Sequence, residues 1–462
     1  MTPLRAASLT WWLLLSACGA RECKLSDPAS CPADQTCEVV SGRQTPLCFP
    51  PVTLEGRVFD VATKVGIADA RVLALDENGA PAGAAAISSQ DGAFRLRVTS
   101  ARTDDTGAFT PRKVVLRAQA KNYLLFPSGA RLSLPIDTGA ASRSNDAAAF
   151  VLKTPQTEVG LDPVSAAAKD LPSVSGGVEL SVDQKSVLLV LEGPAGPART
   201  ALAAADGAFT FFNVPAGTWR LAGYSRGVNY RAVDVVVQGA DVSGVSLEKS
   251  TGGTASLSGS VQLVAGANNA GTSVVLVVES TFIEALGRGE VPPGLRAPEA
   301  GPPTVTGAFT ISGIPDGRYV VLAAFENDDN VRDPDPGISG TQVQRITVSN
   351  GAVTGASAPS FKVTAAVGLV SPGRDAVDTT SATPTFTWQA FSNADAWVVR
   401  VFDTQGAELW QRPIAEKATT SLVYAGPALT AGRYYQWRIT AMRRMAPTSQ
   451  SEELRGLFVV QN

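Results

Sequence analysis

Three stretches of the chain repeat one strand–turn–strand pattern, and this repeat limits the possible fold more than any other feature. Each stretch carries a Gly-Ala-Phe signature, as Asp91-Gly92-Ala93-Phe94, Asp206-Gly207-Ala208-Phe209 and Thr306-Gly307-Ala308-Phe309. Short alternating apolar runs broken by glycine and proline flank each signature, and helical periodicity is almost absent. The pattern predicts an all-β chain.

The residues of the signature have structural reasons to be there. Asp-Gly before a strand permits the positive φ of a tight hairpin turn, which we expect at Gly92 and Gly207. Gly307 is expected at the corresponding turn of the third repeat. Alternation then places the phenylalanines of the signature in the core, namely Phe94, Phe209 and Phe309. Burial of such a side chain contributes about 1.5–3 kcal/mol. These residue types shape a fold and offer no catalytic group.

The second and third repeats share a further turn. Val214-Pro215-Ala216-Gly217-Thr218-Trp219 corresponds to Ile314-Pro315-Asp316-Gly317-Arg318-Tyr319, and each proline lies eight residues after the glycine of its signature. Proline presets the turn and glycine closes it, so the chain returns antiparallel. We expect Pro215, Gly217, Pro315 and Gly317 to be structural.

The first repeat, from Gly56 to Tyr123, resembles the carboxypeptidase regulatory-like domain, a transthyretin-related sandwich. The matching phrases are Ile67-Ala68-Asp69-Ala70-Arg71-Val72, Asp91-Gly92-Ala93-Phe94-Arg95-Leu96 and Ala118-Gln119-Ala120-Lys121-Asn122-Tyr123. It departs from that family by lacking the Pro-x-Gly turn and by carrying an insertion at residues 99–113. The other two repeats are similar in their second halves. The resemblance implies accessory, stalk or carbohydrate-binding-like modules, and not one defined activity.

The last hundred residues have a different pattern, with adjacent strands predicted around Trp388 and from Trp397 onward. Leu429 precedes Tyr435 by six residues, and Trp437 follows. This resembles the tyrosine-corner strand of fibronectin type III domains. The resemblance implies that Tyr435 bonds the backbone near Leu429 and that Trp437 fills the core.

These patterns divide the chain into tandem immunoglobulin-like or transthyretin-like β-sandwiches after a short disulfide-rich stem. The predicted segments are a signal peptide (1–17), a lipidated stem (18–50), three regulatory-like sandwiches (51–155, 172–250 and 254–363) and a fibronectin-like sandwich (366–462). Polar, proline- or glycine-bearing stretches at 163–175, 249–255 and 356–359 suit joints between modules.

The first residues have the pattern of an export signal. Arg5 precedes a short apolar run from Leu9 to Leu15, which is too short to span a bilayer. The phrase Leu15-Ser16-Ala17-Cys18-Gly19 resembles a bacterial lipobox. The resemblance implies cleavage before Cys18 and lipidation of its thiol, and Gly19 in place of aspartate implies the outer membrane. Cleavage after Ala20 by an ordinary secretory route is the alternative.

Four further cysteines, Cys23, Cys31, Cys37 and Cys48, fall in one short segment, and none follows. An even count in an exported protein indicates two disulfides, with three possible pairings. A zinc site is the weaker alternative, because the segment has neither a Cys-x-x-Cys pair nor a histidine.

The sequence contains no histidine, which removes Ser-His and Cys-His nucleophile pairs and HExxH metalloproteases. Its near-balanced charge, 39 basic against 42 acidic residues, gives no reason to expect nucleic acid as a partner. A glycoside hydrolase built on two carboxylates is the enzymatic alternative, and no carboxylate pair stands out in the sequence.

Two ligand hypotheses remain open beside packing interpretations. Acidic residues Asp328, Asp329, Asp333 and Asp335 would offer oxygen ligands to calcium, the one candidate cofactor, or form a solvated loop. Aromatic side chains would stack on sugars or pack in cores and edges; the candidates are Trp397, Trp410, Tyr424, Tyr434, Tyr224 and Tyr230.

The sequence therefore predicts a non-enzymatic envelope lipoprotein whose modules extend from the membrane. Its expected partners are the membrane, through the lipid, and glycans or envelope proteins. The alternative function is carbohydrate binding at the cell surface.

Overall fold

The computed structural model describes residues 20–25, 27–129, 131–144, 150–181, 184, 186–193, 197–204, 206–264, 267, 272–299, 304–324, 329–332, 343–355 and 358–461. A small disulfide-linked unit, with strands β1 (Thr36–Glu38) and β2 (Leu47–Phe49), precedes four β-sandwiches. The predicted fold class is confirmed. Short 3₁₀ helices occur at Pro28–Ser30, Thr138–Ala140, Pro155–Thr157, Ala166–Ala168 and Glu279–Thr281.

The first sandwich has two sheets, ordered β11-β3-β10-β9 (with β6 also on β3) and β5-β4-β7-β8. Its strands are β3 (Val52–Asp60), β4 (Arg71–Leu75), β5 (Ala86–Ile87), β6 (Ala93–Val98), β7 (Lys113–Gln119), β8 (Ile136–Asp137), β9 (Ser142–Arg143), β10 (Phe150–Leu152) and β11 (Glu158–Leu161). Because β11 pairs in parallel with β3, this sandwich reaches residue 161, beyond the predicted boundary at 155.

The second sandwich has sheets β15-β12-β19 and β14-β13-β16-β18, with a separate β17-β20 ladder. Its strands are β12 (Val174–Val178), β13 (Leu188–Glu192), β14 (Arg199–Leu202), β15 (Ala208–Phe211), β16 (Gly217–Tyr224), β17 (Asn229–Tyr230), β18 (Val233–Val237), β19 (Val242–Leu247) and β20 (Lys249–Ser250).

The third sandwich has sheets β24-β21-β29-β26 and β23-β22-β25-β27-β28. Its strands are β21 (Ala255–Leu263), β22 (Ser273–Val278), β23 (Arg296–Ala297), β24 (Ala308–Ile314), β25 (Gly317–Ala324), β26 (Asn330–Arg332), β27 (Gln344–Ser349), β28 (Ala352–Gly355) and β29 (Ser360–Ala365).

The three repeats share one topology. In each, the first strand (β3, β12 or β21) pairs antiparallel with the signature strand and parallel with a later strand. The phenylalanine of each signature lies opposite a glycine of the first strand: Gly56 faces Phe94, Gly176 faces Phe209 and Gly259 faces Phe309. A Cβ on Gly259 would lie 2.5 Å from the Phe309 ring, so the glycine makes room for the aromatic ring.

The two Asp-Gly turns of the signature have the predicted backbone conformation. Gly92 has φ +83° and Gly207 has φ +82°, as a tight turn before a strand requires. Gly307 of the third repeat does not adopt a left-handed φ. Threonine replaces the aspartate at this turn, and the Asp side chain that accepts the backbone N–H of the signature alanine in the other two is missing.

The Pro-x-Gly turns are closed by an aromatic side chain. Trp219 donates its indole N–H to the Pro215 carbonyl at 3.0 Å, and the Tyr319 hydroxyl donates to the Pro315 carbonyl at 2.9 Å. The rings of Trp219 and Tyr319 are also buried in their sandwiches. Each residue therefore closes its turn by a hydrogen bond and fills part of the core with its ring.

The fourth sandwich has sheets β30-β32-β35 and β31-β38-β36-β33-β34, with β37 on β36. Its strands are β30 (Leu369–Ser371), β31 (Asp378–Thr380), β32 (Thr385–Trp388), β33 (Ala396–Asp403), β34 (Glu408–Ile414), β35 (Ser421–Val423), β36 (Tyr434–Arg443), β37 (Ala446–Gln450) and β38 (Leu457–Val460). Strands β32 and β33, predicted to be adjacent, lie in opposite sheets and meet across the core, where the Trp388 and Trp397 rings are 5.8 Å apart. The Tyr435 hydroxyl accepts the Thr430 N–H at 2.8 Å, as expected, and Trp437 is fully buried.

Candidate ligand cavity between the sandwiches

The four stem cysteines form the disulfides Cys23–Cys37 and Cys31–Cys48. The sulfurs of Cys23, Cys31 and Cys48 lie within 4.8 Å of one another because the two bridges are stacked. The structure thus selects one of the three pairings that the sequence left open. Cys18 lies outside the described residues.

The stem is held by the insertion that set the first repeat apart. Arg102, in that insertion, is fully buried and pairs with the buried carboxylate of Glu38. It also donates to the carbonyls of Gly107 and Pro50, at 2.6 and 2.8 Å, and lies over the Phe49 ring. These contacts of Arg102 with Glu38 and Pro50 hold the stem against the first sandwich, and we call them the clamp.

The proposed calcium loop falls mostly outside the described part of the chain, which excludes Asp328, Asp333 and Asp335. Asp329 is described, and its carboxylate pairs with Arg455 of the fourth sandwich at 3.2 Å. Its backbone carbonyl accepts the Ala366 N–H at 2.7 Å. Asp329 thus belongs to the junction between the third and fourth sandwiches.

The aromatic candidates for sugar stacking are packed against protein. Trp397, Tyr424 and Tyr224 are buried, and the Tyr424 ring meets Trp410 at 5.0 Å. Tyr434 lies 4.2 Å from the guanidinium of Arg131. Tyr230 donates its hydroxyl to the Glu179 carbonyl at 3.0 Å.

The sandwiches were expected to extend one after another, but in the structure they pack around the third. Leu73 and Leu75 of the first sandwich, and Leu188 and Val190 of the second, share one buried cluster with the core of the third. Neighbouring residues on these two strands face inward, since Val72 and Leu189 lie in the cores of their own sandwiches. Strands β4 and β13 are therefore buried on both faces.

One polar network ties the first three sandwiches together. Arg117 pairs with Glu290 at 2.8 Å and donates to the Thr200 hydroxyl at 2.9 Å. The Thr200 hydroxyl donates to Glu290 at 3.0 Å. Each partner comes from a different sandwich, so this network fixes their relative positions.

The predicted joint at residues 163–175 is also bound to its neighbours. The Val164 N–H donates to the Asn122 carbonyl at 3.0 Å, and the Asn122 side-chain amide donates to Asp170 at 2.9 Å. Asn213 of the second sandwich accepts the Asn122 N–H at 2.7 Å. These hydrogen bonds hold the segment in place between the first and second sandwiches.

The fourth sandwich contacts both the first and the third. Asp162, after the first sandwich, pairs with Arg433 at 3.0 Å. Arg332 of the third sandwich pairs with Glu453 at 2.5 Å. Burial alone would raise the pKa of Glu453, but Arg332, Arg438 and Arg288 together hold it below its usual value.

A cavity of ≈ 770 Å³ lies where the four sandwiches meet, within the size range of small-molecule sites. All four sandwiches line it. Its polar and aromatic wall includes Tyr123, Ser128, Arg131, Ser165, Arg199, Thr200, Phe212, Asn213, Ser280, Thr281, Phe282, Arg288, Glu290 and Gln405. A second cleft of ≈ 590 Å³, between the second and third sandwiches, shares Ala198 and Ser280 with it.

The charged side chains on the cavity wall contact other residues of the described chain. Glu290 is paired with Arg117, and Arg131 lies 3.6 Å from Asp162. Arg288 Nη2 donates to the Gln436 side-chain oxygen at 3.1 Å and to the Glu453 carbonyl at 3.4 Å, and the Arg199 guanidinium lies 5.8 Å from the Trp219 ring. Arg199 Nε, Arg288 Nε and Arg288 Nη1 are buried in the protein without a hydrogen-bond partner among the described residues.

Burial explains the electrostatics of these two arginines. It lowers the pKa of Arg199, and it lowers the pKa of Arg288 to about 9, helped by the positive charge of Arg438. Both groups nevertheless remain mainly cationic at neutral pH. Arg288 is also close to the carboxylate of Glu453, whose pKa its charge helps to lower.

The buried carboxylates are engaged elsewhere. Those of the described residues each face an arginine, in the pairs Glu38–Arg102, Asp76–Arg112, Asp162–Arg433 and Glu452–Arg455. Pairing of this kind suits structural roles, because each carboxylate is already bound to an arginine.

Comparison with known proteins places an immunoglobulin-like domain at the C-terminal end. Residues 371–455 match the family described as the Rha78A-like, N-terminal immunoglobulin domain. This match covers the fourth sandwich only, and the regulatory-like and fibronectin-like resemblances stay predictions. No curated protein matches the chain in sequence.

Several solved structures are similar to this chain at low sequence identity. The TIE protein of Bacillus anthracis is 10% identical with a TM-score of 0.15, over 88% of this chain and 72% of that one. The minor pilin GBS52 of Streptococcus agalactiae is 13% identical with a TM-score of 0.18, over 44% and 100%. BcpA, the major pilin subunit of Bacillus cereus, is 11% identical with a TM-score of 0.18, over 68% and 99%. At these scores the likenesses carry no argument about function.

Among the described residues, helices with the length and apolar character of a membrane span are absent.

Proposed function

We propose that this chain is an exported, lipid-anchored envelope protein that acts as a non-enzymatic structural or adhesive body. The observation that carries the proposal is the stem: two disulfides and the buried Arg102–Glu38 pair join the N-terminal segment to the first sandwich. Disulfides persist in oxidising, extracytoplasmic compartments. A firmly held stem would transmit force from a lipid on Cys18 to the sandwiches.

Several features support a non-catalytic role. The sequence has no histidine. The repeated residues serve turns and cores, and the buried carboxylates described above are paired with arginines. The carboxylate-pair glycosidase is therefore the weaker alternative. Carbohydrate binding is the second candidate function, favoured by the polar cavity between the sandwiches.

Metabolic labelling tests the anchor. Cells expressing the full chain are fed a labelled fatty acid, and we expect the label on the wild-type protein and its loss in Cys18→Ser. Ser16→Ala, two residues earlier in the same segment, should keep the label. An unlabelled wild-type protein whose N-terminus begins after Ala20 would contradict the proposal.

Membrane fractionation tests the location. Gly19 after the lipidated cysteine supports the outer membrane. We expect the chain to fractionate with outer-membrane markers, whereas recovery with inner-membrane markers would contradict that part of the proposal.

A further inference from the structure

We infer that the free edge of strand β18, in the second sandwich, pairs with the same strand of a second copy of this chain. The pairing would make the protein self-associate, which goes beyond the proposed function. It needs neither the lipid anchor nor the cavity, whose wall does not include β18.

Strand β18 has one edge without a hydrogen-bonding neighbour. In its sheet, ordered β14-β13-β16-β18, it pairs with β16 alone among the described residues. Its backbone makes no further hydrogen bond to the described part of the chain. Since alternate residues of a strand direct their N–H and C=O groups to opposite edges, β18 presents a row of unpaired donors and acceptors.

The third sandwich shows that a further strand fits at this edge. There β27 pairs with β25 as β18 pairs with β16: Val348 lies opposite Gly317, and Val237 lies opposite Gly217. On its other side β27 carries β28, which runs antiparallel to it. The described part of the second sandwich has no counterpart of β28, because its next strand, β19, joins the opposite sheet. The edge of β18 therefore has room for one more antiparallel strand.

Three other edge strands carry features that block such pairing. Strand β34 contains Pro413, which has no N–H to donate. Strand β19 pairs in an irregular register, and Gly244 within it has φ +76°. Strand β24 is covered by the second sandwich, since Arg226 donates to the Ser312 carbonyl at 3.0 Å. Strand β18 reads Val-Asp-Val-Val-Val and contains no proline, glycine or lysine to protect its edge.

The side chains of β18 suit a copy of the same strand. Val236 is 53% exposed, whereas Thr347 holds the corresponding position of β27. The one charged residue of the strand, Asp234, lies opposite Arg220 of β16. Apolar β-branched residues that lie directly opposite each other stabilise paired strands. A strand of four valines is therefore complementary to itself.

Charge selects the register of the pairing. With a two-fold axis at Val236, this residue lies opposite its own copy, and Asp234 lies opposite Gln238 of the second copy. The two Asp234 carboxylates are then four positions apart, about 13 Å at about 3.3 Å per residue, beyond the screening length of about 8 Å. An axis at Asp234 would instead set the two carboxylates side by side, and an axis at Val235 would set each against a valine.

The interface is small, so the association should be weak. Stable interfaces bury about 1,200–2,000 Å², more than two strands of five residues provide. We expect a dissociation constant of roughly 10–300 µM for the dimer.

Sedimentation equilibrium of residues 20–462, from about 1 µM to about 500 µM, tests the inference. We expect the wild type to pass from monomer to dimer over this range. Val236→Lys should stay monomeric, because it sets two ammonium groups opposite each other. Thr347→Lys is the matched control: it changes the corresponding position of the third sandwich, whose edge β28 covers, and should dimerise like the wild type.

Cross-linking tests the register. Opposite residues of an antiparallel pair have Cα atoms about 4.5–5.5 Å apart, which is within the range of a disulfide. Val236→Cys should therefore form a disulfide-linked dimer on mild oxidation, whereas Thr347→Cys should remain a monomer.

Three outcomes would overturn the inference. These are a monomeric wild type at about 500 µM, equal dimerisation of the wild type and Val236→Lys, and equal cross-linking of Val236→Cys and Thr347→Cys. Residues 20–462 do not include Cys18, so the result is independent of the lipid-labelling experiment.

Discussion

Replacing Arg102 by methionine should release the stem from the first sandwich. The guanidinium is fully buried, pairs with Glu38 and donates to the carbonyls of Gly107 and Pro50. Arg102→Met removes these bonds and leaves the Glu38 carboxylate buried without its cation. Breaking one partner of a buried ion pair costs about 3–5 kcal/mol.

This magnitude predicts a large change in local opening. At 1.4 kcal/mol per tenfold, a loss of about 3–5 kcal/mol raises the opening equilibrium of the clamp by roughly a hundredfold to a few thousandfold. Among the described residues the second, third and fourth sandwiches make none of these contacts, so their own stability should change little. Global unfolding of a multidomain chain is therefore the wrong measure.

Amide hydrogen exchange is the suitable assay. The Ser100 N–H donates to Glu38 at 3.0 Å and the Ser41 N–H donates to the Arg102 carbonyl at 2.8 Å, so both amides report on the clamp. In Arg102→Met both should exchange much faster than in the wild type. Removing the charge as well, in Arg102→Met with Glu38→Gln, should restore part of the protection.

An exposed pair at the same junction provides the control. Arg43 pairs with Asp105, and both side chains are more than a third exposed. Arg43→Met should cost no more than about 1 kcal/mol, because exposed ion pairs contribute little. If Arg102→Met and Arg43→Met change exchange equally, the buried pair does not hold the stem and the reasoning is wrong.

Three further predictions concern the sandwiches. Gly207→Ala should lower the free energy of unfolding by at least about 1–2 kcal/mol, because Gly207 has φ +82° and a Cβ there would lie 2.3 Å from the Val178 carbonyl oxygen. The control is Gly177→Ala, which has open space around its Cβ and should change the midpoint of urea unfolding little. Equal shifts of the urea midpoint in the two variants would contradict this account. Tyr435→Phe should lower the free energy of unfolding by about 0.5–1.5 kcal/mol, because it removes the acceptor of the Thr430 N–H. Its melting temperature should be lower than that of Tyr434→Phe. A smaller drop in melting temperature for Tyr435→Phe than for Tyr434→Phe would refute this prediction. Burial raises the pKa of Tyr224 to about 12, so its hydroxyl holds its proton more tightly when folded, and the stability it contributes is complete below about pH 10 and lost as pH rises towards 12. An absorbance titration should show one fewer late-ionising tyrosine in Tyr224→Phe, and a folded protein whose tyrosines all ionise near pH 10 would contradict the burial.

The sequence predicted the sandwiches well because their signals are local. Alternation placed Phe94, Phe209 and Phe309 in the core, and all three are buried. The tyrosine corner was found because Leu429 and Tyr435 are only six residues apart. Residue patterns over such short distances are enough to predict turns and strand register, because they do not depend on residues far away in the sequence.

The packing between sandwiches could not be read in the same way. Arg117 and Glu290 are 173 residues apart, and each looks like an ordinary solvated charge in the sequence. One signal was present: Leu188-Leu189-Val190-Leu191 is apolar without alternation, which is typical of a strand buried on both faces. In the structure this strand is buried on both faces: Leu188 packs against the third sandwich and Leu189 lies in the core of the second.

The cavity was missed for a related reason. Arg199 and Arg288 lie 89 positions apart in sequence, on different sandwiches, and nothing local distinguishes them from surface arginines. The aromatic residues chosen as sugar platforms were judged by their place in a strand pattern, but burial of Trp397 and Tyr424 depends on which strands cross the core. A site assembled from four modules becomes visible only once the modules are placed.

Small-angle X-ray scattering of residues 20–462 tests the packing of the four sandwiches most directly. A compact chain of this length should have a radius of gyration of about 22 Å, whereas four sandwiches in a line would give roughly 40 Å. We predict a value much nearer the first. A radius near the second would mean that the sandwiches do not pack around the third and that the cavity between them does not form.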